Sequence, residues 1–205
     1  MTTEDVVVGD DGVARCWWCG DDALYTDYHD HEWGVPLRDE QALFELLCLE
    51  GFQAGLSWLT ILRKREAFRE AFAAFDLGSV ARFDDDDVDR LLADAGIVRH
   101  RGKITAAIGN ARAVEAMHAA GTSLVQVVWS HAPMPRAAPL TSRAEIPSES
   151  VESVAVAKAL RKAGLRFVGP TTVYAFMQSA GLVDDHLHGC HRAGVGAERR
   201  RRSPR

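Results

Sequence analysis

The stretch DAGIVRHRGKITAAIGNA, Asp94 to Ala111, joins two predicted helices through a short link containing Gly96 and Gly102. Upstream, Asp84 to Asp87 immediately precede Val88, Leu91 and Leu92, so the acids fall in a first helical turn and complement the positive end of its dipole. Capping chemistry accounts for them without a metal. Downstream, a helix is predicted from about Lys103 to Ala119. A hairpin of this kind, with glycine just before a new helix, leaves backbone N–H groups unpaired at the positive end of a dipole, which suits phosphate. Arg99, Arg101 and Lys103 add a screened, salt-dependent attraction that is blind to sequence.

Outward from the hairpin the pattern stays helical. Leu43, Phe44, Leu46, Leu47 and Leu49 predict a helix buried on most sides. A longer amphipathic helix is predicted from Ser57 through Trp58, Ile61, Leu62, Phe68 and Phe72 to Phe75. Further helices are expected over about Ser150 to Ala163, stopped by Gly164, and from Pro170 to about Ala180. Strand-like alternation is scarce, and Ala132 to Pro139, with three prolines, reads as a loop. The fold class is therefore mainly α.

A chain of 205 residues, 47% hydrophobic and 26% charged, is long enough to bury one substantial core. The expected division is a flexible acidic segment at 1–14, a single domain at 15–191, and a basic tail at 192–205 without fixed structure. The net charge of −5 argues against a generic basic nucleic-acid binder, so local placement of cations matters more than the total. Neither a membrane-spanning run nor a basic, apolar leader is visible, and a cytoplasmic protein is expected. In that reducing compartment Cys16, Cys19, Cys48 and Cys190 read as thiols or metal ligands.

Two sets of residues compete for a metal. Cys16 and Cys19 with His29 and His31 would make a local knuckle. Cys16 and His29 with His186 and Cys190 would tie the two chain ends together. Either supplies the four N and S ligands of a closed structural zinc site. Spacing favours the second: His29 and His31 diverge if their segment is extended, whereas His186 and Cys190 share a face if theirs is helical. A metal closing so long a loop would also restrain the termini.

The runs LYTDYHDHEWGVP, LFELLCLEGFQAGLSW, DAGIVRHRGKITAAIGNARA and FVGPTTVYAFMQSAGLVDDHLHGC together resemble the DNA-3-methyladenine glycosylase I family, of the helix-hairpin-helix glycosylase superfamily. The resemblance covers about Arg15 to Cys190. It implies a helix-hairpin-helix DNA glycosylase fold and structural Zn2+ on Cys16, His29, His186 and Cys190. The sequence departs from the family at Cys19, Phe52, His188 and His191, which take no role from it, and of these Cys19 and His188 are the donors that could compete for the metal. It implies that Glu50 is the lesion-recognising and catalytic acid, and that Trp18, Tyr25, Tyr28 and Trp58 surround the base. The implied partner is double-stranded DNA carrying alkylated purines, met by a monomer that needs no membrane.

The chemistry of these residues agrees with the resemblance. N3-alkylation makes adenine cationic, so a carboxylate can accept from its amino edge while aromatic faces hold the charged ring, each contact contributing roughly 0.5–2 kcal/mol. Against this stand plainer readings: an acid at a helix end before Gly51 is usually exposed, and tryptophan and tyrosine near apolar helices are usually core. From Lys103 to Gly121 there is no aspartate, which argues against a lysine-nucleophile lyase and for a monofunctional hydrolase. The turn Gln53-Ala54-Gly55-Leu56 is the expected place for a wedge that fills the gap left by a flipped nucleotide. A zinc-stitched module that binds DNA without cutting a bond is the rival reading. A zinc deaminase fares worse, since H-x-E and P-C-x-x-C are both missing.

Overall fold

The computed structural model describes residues 5–202. Among these residues a two-stranded antiparallel hairpin, β1 (Val6–Val8) and β2 (Ala14–Cys16), precedes ten α-helices. They are α1 (Ala23–His31), α2 (Glu40–Gln53), α3 (Trp58–Ala71), α4 (Leu77–Ala81), α5 (Asp85–Ala93), α6 (Arg101–Ala119), α7 (Leu124–Trp129), α8 (Val151–Lys162), α9 (Pro170–Ser179) and α10 (Val195–Arg202).

Helix starts follow the side chains that accept from first-turn N–H groups. Asp39 caps α2 and Ser57 caps α3, while Asp84 caps α5 in a reciprocal box with Asp87. The acids at 84–87 are thus capping groups, as expected. Helix α2 is the central rod, with Leu43, Phe44, Leu47, Leu49 and Phe52 buried, and α3, α6, α7 and α9 pack around it. Beside it Phe52, Phe68, Phe72 and Phe75 form a chain of ring contacts at 4.7–6.2 Å. These rings fix the angle between α2 and α3, and hence the position of the turn between them.

Several expectations need correction. The segment around His29 is helix rather than an extended loop, because Asp22 accepts from the N–H groups of Leu24 and Tyr25 and starts α1. Helix α2 runs past Gly51 to Gln53, so Glu50 lies one turn inside the helix. Helix α3 stops at Ala71 because Ala73, Ala74 and Phe75 all take positive φ. Helix α6 begins at Arg101, which puts Gly102 in its first turn. The acidic N-terminal segment is paired from Val6 onward, and residues 195–202 of the basic tail form α10; residues 203–205 lie outside the described residues. Among the described residues no helix is long and apolar enough to cross a membrane.

Candidate metal centre and base pocket

Cys16, His29, His186 and Cys190 converge in a fully buried cluster. Strand β2 delivers Cys16 and α1 delivers His29. His31 points away, bonds Asp27 and is exposed, since two residues on a helix lie on nearly opposite sides. The 184–190 segment is irregular rather than helical, yet His186 and Cys190 still meet. That segment is held by Asp185, whose carboxylate accepts from Tyr174 Oη at 2.7 Å, from Gln178 Nε2 at 2.8 Å and from Arg136. Cys19 is turned out of the cluster to bond the Cys16 carbonyl at 3.2 Å, and His188 is exposed.

The geometry fits a tetrahedral ion. Cys190 Sγ lies 3.4 Å from His29 Nε2 and 3.7 Å from His186 Nδ1, and Cys16 Sγ lies 3.9 Å from His186 Nδ1. Zinc bonds to sulfur and nitrogen imply a ligand separation of about 3.5 Å. The outer nitrogens are already engaged: His29 Nδ1 meets Asp30 Oδ1 at 2.7 Å, and His186 Nε2 meets the Trp33 carbonyl at 3.1 Å. Each contact selects the tautomer whose inner nitrogen carries the lone pair a metal needs, a lone pair that at His29 Nε2 accepts from the Cys16 N–H at 3.3 Å. Asp30 is itself held by Arg15 at 2.7–3.0 Å. The Cys16 thiol and the two imidazoles pull the Cys190 thiol far below its usual range against the cost of burial, so a thiolate is favoured there. Gly34 belongs to the same fit, because a Cβ at its φ of +76° would lie 3.0 Å from His186 Nε2.

Beside this centre opens a cavity of about 280 Å³. Trp18, Tyr25, Tyr28 and Trp58 line it, with Glu50 among them. Tyr28 and Trp58 rings are 5.6 Å apart and Trp18 and Tyr25 5.0 Å, so their edges and faces form a continuous aromatic wall. Glu50 is only 3% exposed, and its Oε1 accepts from Ser179 Oγ at 2.8 Å. Burial pushes its carboxyl up to about 8, the Ser179 bond offsetting only part of the effect. Among the described residues three buried side-chain polar atoms have no hydrogen-bond partner, and two of them, Tyr28 Oη and Trp58 Nε1, belong to residues that line this cavity. Such atoms are rare in a finished interior and mark where a ligand would complete the bonding.

Sequence reasoning missed several lining residues. Trp17 and Trp33 face the cavity, as do Gln53, Gln178, Ser179 and Ile146. Trp33 carries two duties, since its carbonyl orients His186 and its ring stands 5.0 Å from Trp18. Gln53, Gln178 and Ser179 lie within stretches already singled out but carry no signal of their own there, and Trp17 and Ile146 lie outside every such stretch.

The turn after α2 carries Gly55 at φ +86° and an exposed Leu56 beside the cavity mouth residue Gln53. In the hairpin, His100 caps α6 by accepting from Lys103 N–H, and among the described residues no side chain accepts from the N–H groups of Arg101 or Gly102. Arg99 is exposed and Arg101 forms a 2.8 Å surface pair with Asp89. Lys103 departs from expectation. It is buried, and its Nζ donates to the carbonyls of Phe52 at 2.9 Å and Ala54 at 2.7 Å, tying the hairpin to the end of α2 instead of facing outward.

Comparison with known proteins places these features in context. The model of the methyladenine glycosylase family matches residues 18–193. DNA-3-methyladenine glycosylase 1 of Escherichia coli K12 is 52% identical over 179 residues, which is 87% of this chain and 96% of that protein. A crystal structure of a 3-methyladenine DNA glycosylase I superposes with a TM-score of 0.84 at 51% identity, covering 86% of this chain and 98% of the other. A Tyr-to-Phe variant of another such glycosylase, solved in complex with 3-methyladenine, superposes at 0.79 with 39% identity over 85% and 94% of the two chains.

Proposed function

Because the chain belongs to the methyladenine glycosylase family, we propose that it hydrolyses the N-glycosidic bond of 3-methyladenine in alkylated double-stranded DNA. The observation that carries this reading is a desolvated carboxyl, Glu50, inside an aromatic cavity that also holds two unpartnered polar atoms.

A base inside a duplex cannot reach such a cavity, so the nucleotide is flipped out of the stack, at a cost of a few kcal/mol. Leu56, on a turn that α2 and α3 hold rigidly, fills the gap in the duplex. The phosphate backbone is held at the hairpin by Arg99, Arg101 and the free N–H groups at Arg101 and Gly102. Lys103 acts from within, keeping hairpin and wedge turn in register.

Inside the cavity the alkylated ring lies among Trp18, Tyr25, Tyr28 and Trp58, whose faces attract a cation. Glu50 ionises as the cation enters and accepts from the adenine amino edge. Its negative charge, worth far more in this dry setting than in water, stabilises the positive charge that spreads onto the sugar as the base departs. Water then adds to the sugar carbon. Ordinary adenine lacks the charge that would ionise Glu50 and so gains little. Among the described residues no lysine lines the cavity, which favours a reaction that ends at an abasic site without strand cleavage.

Zinc fits the Cys16, His29, His186 and Cys190 set. With four protein ligands it would supply a fixed cross-link and leave no open position for substrate. It would brace the cavity wall through His29, His186 and Trp33. The enzyme is proposed to act as a cytoplasmic monomer.

The reading is tested by counting abasic sites after incubation with methylated duplex DNA. The strands should break only on later treatment with alkali, and borohydride should trap no protein–DNA adduct. A trapped adduct would exclude the monofunctional mechanism, and unaltered DNA would favour a binding module.

A further inference from the structure

The N-terminal strand has no place in the reaction described so far, and residues 5–8 precede the segment matched by the family model. We infer that Asp5 and Arg143 are positioning residues that fix one wall of the base pocket, with β1 as the strap that joins that wall to the metal centre; the inference rests on the glycosylase reading of the pocket.

The contacts run in one direction. Val6 pairs in register with Cys16 and is buried with Cys16, Leu187 and Cys190, a small second core separate from the main one. The Asp5 carbonyl accepts from Trp17 N–H at 3.1 Å, so the strand fixes the backbone of a residue that lines the pocket. The Asp5 carboxylate reaches across 138 residues to the loop after α7. One oxygen accepts from the Arg143 backbone N–H at 3.0 Å, and the other meets Arg143 Nε at 3.1 Å. That backbone N–H opens a short 3-10 turn, Arg143–Glu145, and Ile146 directly after it forms part of the pocket wall. The Arg143 guanidinium also stands 5.9 Å over the Trp17 ring.

The loop's other anchors lie before the 3-10 turn: Arg136 is held by the Asp184 carbonyl and the Asp185 carboxylate, and the Pro133 carbonyl by Arg200. Residues 132–149 include four prolines and little regular structure, and His188 N–H donates to the Leu140 carbonyl at 2.7 Å, a bond to the segment that carries His186 and Cys190. Ile146 packs against both cores at once. Losing the Asp5 carboxylate would therefore release the turn that carries Ile146 and free the Arg143 guanidinium from the Trp17 ring, while the backbone bond from Trp17 to the Asp5 carbonyl remains and Glu50, Tyr28 and Trp58 on α1–α3 keep their places.

The test compares Asp5→Ala and Asp5→Asn with the native zinc-loaded chain. Affinity for free 3-methyladenine, read from quenching of the pocket tryptophans, should fall about tenfold in Asp5→Ala, the scale of a hydrogen bond to a charged group. Asp5→Asn, which keeps an acceptor for the Arg143 N–H, should recover most of it. KM for methylated duplex should rise in step while kcat stays within about twofold. Tryptic cleavage after Arg136 and Arg143 should accelerate in Asp5→Ala with the metal content unchanged. A variant that melts earlier yet keeps native base affinity, KM and cleavage rate would overturn the inference, since the strand would then be structural only. If the native protein bound no base, the glycosylase reading would fail by itself, and unchanged loop cleavage would still count against the strap.

Discussion

Replacing Glu50 by glutamine should make the protein more stable, and increasingly so as the pH rises. A glutamate in water titrates near 4.5, whereas burial pushes Glu50 up to about 8. A carboxyl raised in the folded state binds more protons folded than unfolded between those two values. Stability is therefore undiminished below pH 4.5 and is lost as pH climbs through the window to about 8. At about 1.4 kcal/mol per tenfold, the gap from 4.5 to about 8 corresponds to about 5 kcal/mol once the group is fully ionised. The share of that cost borne at pH 7 is about 3 kcal/mol by the same linkage. These are upper values, because the mouth of the cavity admits water. Glutamine keeps the acceptor for Ser179 Oγ and carries no charge. Urea unfolding at pH 4.5, 7 and 9 should give native and Glu50→Gln curves that coincide at the lowest pH and separate progressively above it. A difference that stays flat from pH 4.5 to 9 would refute the claim that Glu50 is desolvated. The same ionisation should govern activity: native kcat/KM should rise about fivefold from pH 7 to pH 8 and then level off, following the ionised fraction of the free enzyme.

Other outcomes follow from the remaining contacts. Cys16→Ala or His186→Ala should lose metal by elemental analysis and more than about 4 kcal/mol of stability in a denaturant melt, whereas Cys19→Ala, whose thiol only bonds a carbonyl, should keep the metal. Lys103→Met should cost about 1–3 kcal/mol because two carbonyls at the end of α2 lose their donor, and the salt dependence of DNA binding should not change. Arg99→Ala, by contrast, should reduce the slope of log affinity against log salt by about 1 without altering the melt. Leu56→Ala should lower kcat/KM on duplex DNA about tenfold or more, with native affinity for the free base in a fluorescence titration.

What was legible in the sequence was whatever lay in one continuous run or in a spacing that chemistry restricts. The helical class, the acid caps at 84–87 and the hairpin at 94–111 each sit in a local pattern. The meeting of Cys16, His29, His186 and Cys190 in a cluster that could hold a metal was readable because only a few cysteines and histidines could combine, although the geometry assumed for it was wrong at both ends: α1 is a helix and 184–190 is not. Helix α1 escaped notice because ALYTDYHDH has no apolar stripe; it is held by the Asp22 cap and by packing of Tyr28 and His29. Three-residue strands such as β1 leave no periodicity to detect. Lys103 was misread because charge alone says nothing about direction, and its neighbour across 49 residues is a carbonyl, not solvent. Gly51 was taken for a stop, yet a Cβ there would only touch Phe167 at 3.5 Å, and the helix passes through it. Trp17, Ser179, Gln178 and Ile146 become one wall only when folded.

Chromatography of the bases released from methylated duplex DNA, run with the native chain and Glu50→Gln side by side, tests the central claim most directly. The expected result is 3-methyladenine released by the native protein, 7-methylguanine left in the DNA, and release lost in a folded, zinc-loaded Glu50→Gln. Release that is undiminished in the variant would contradict the role of Glu50, and no release by the native protein would contradict the glycosylase itself.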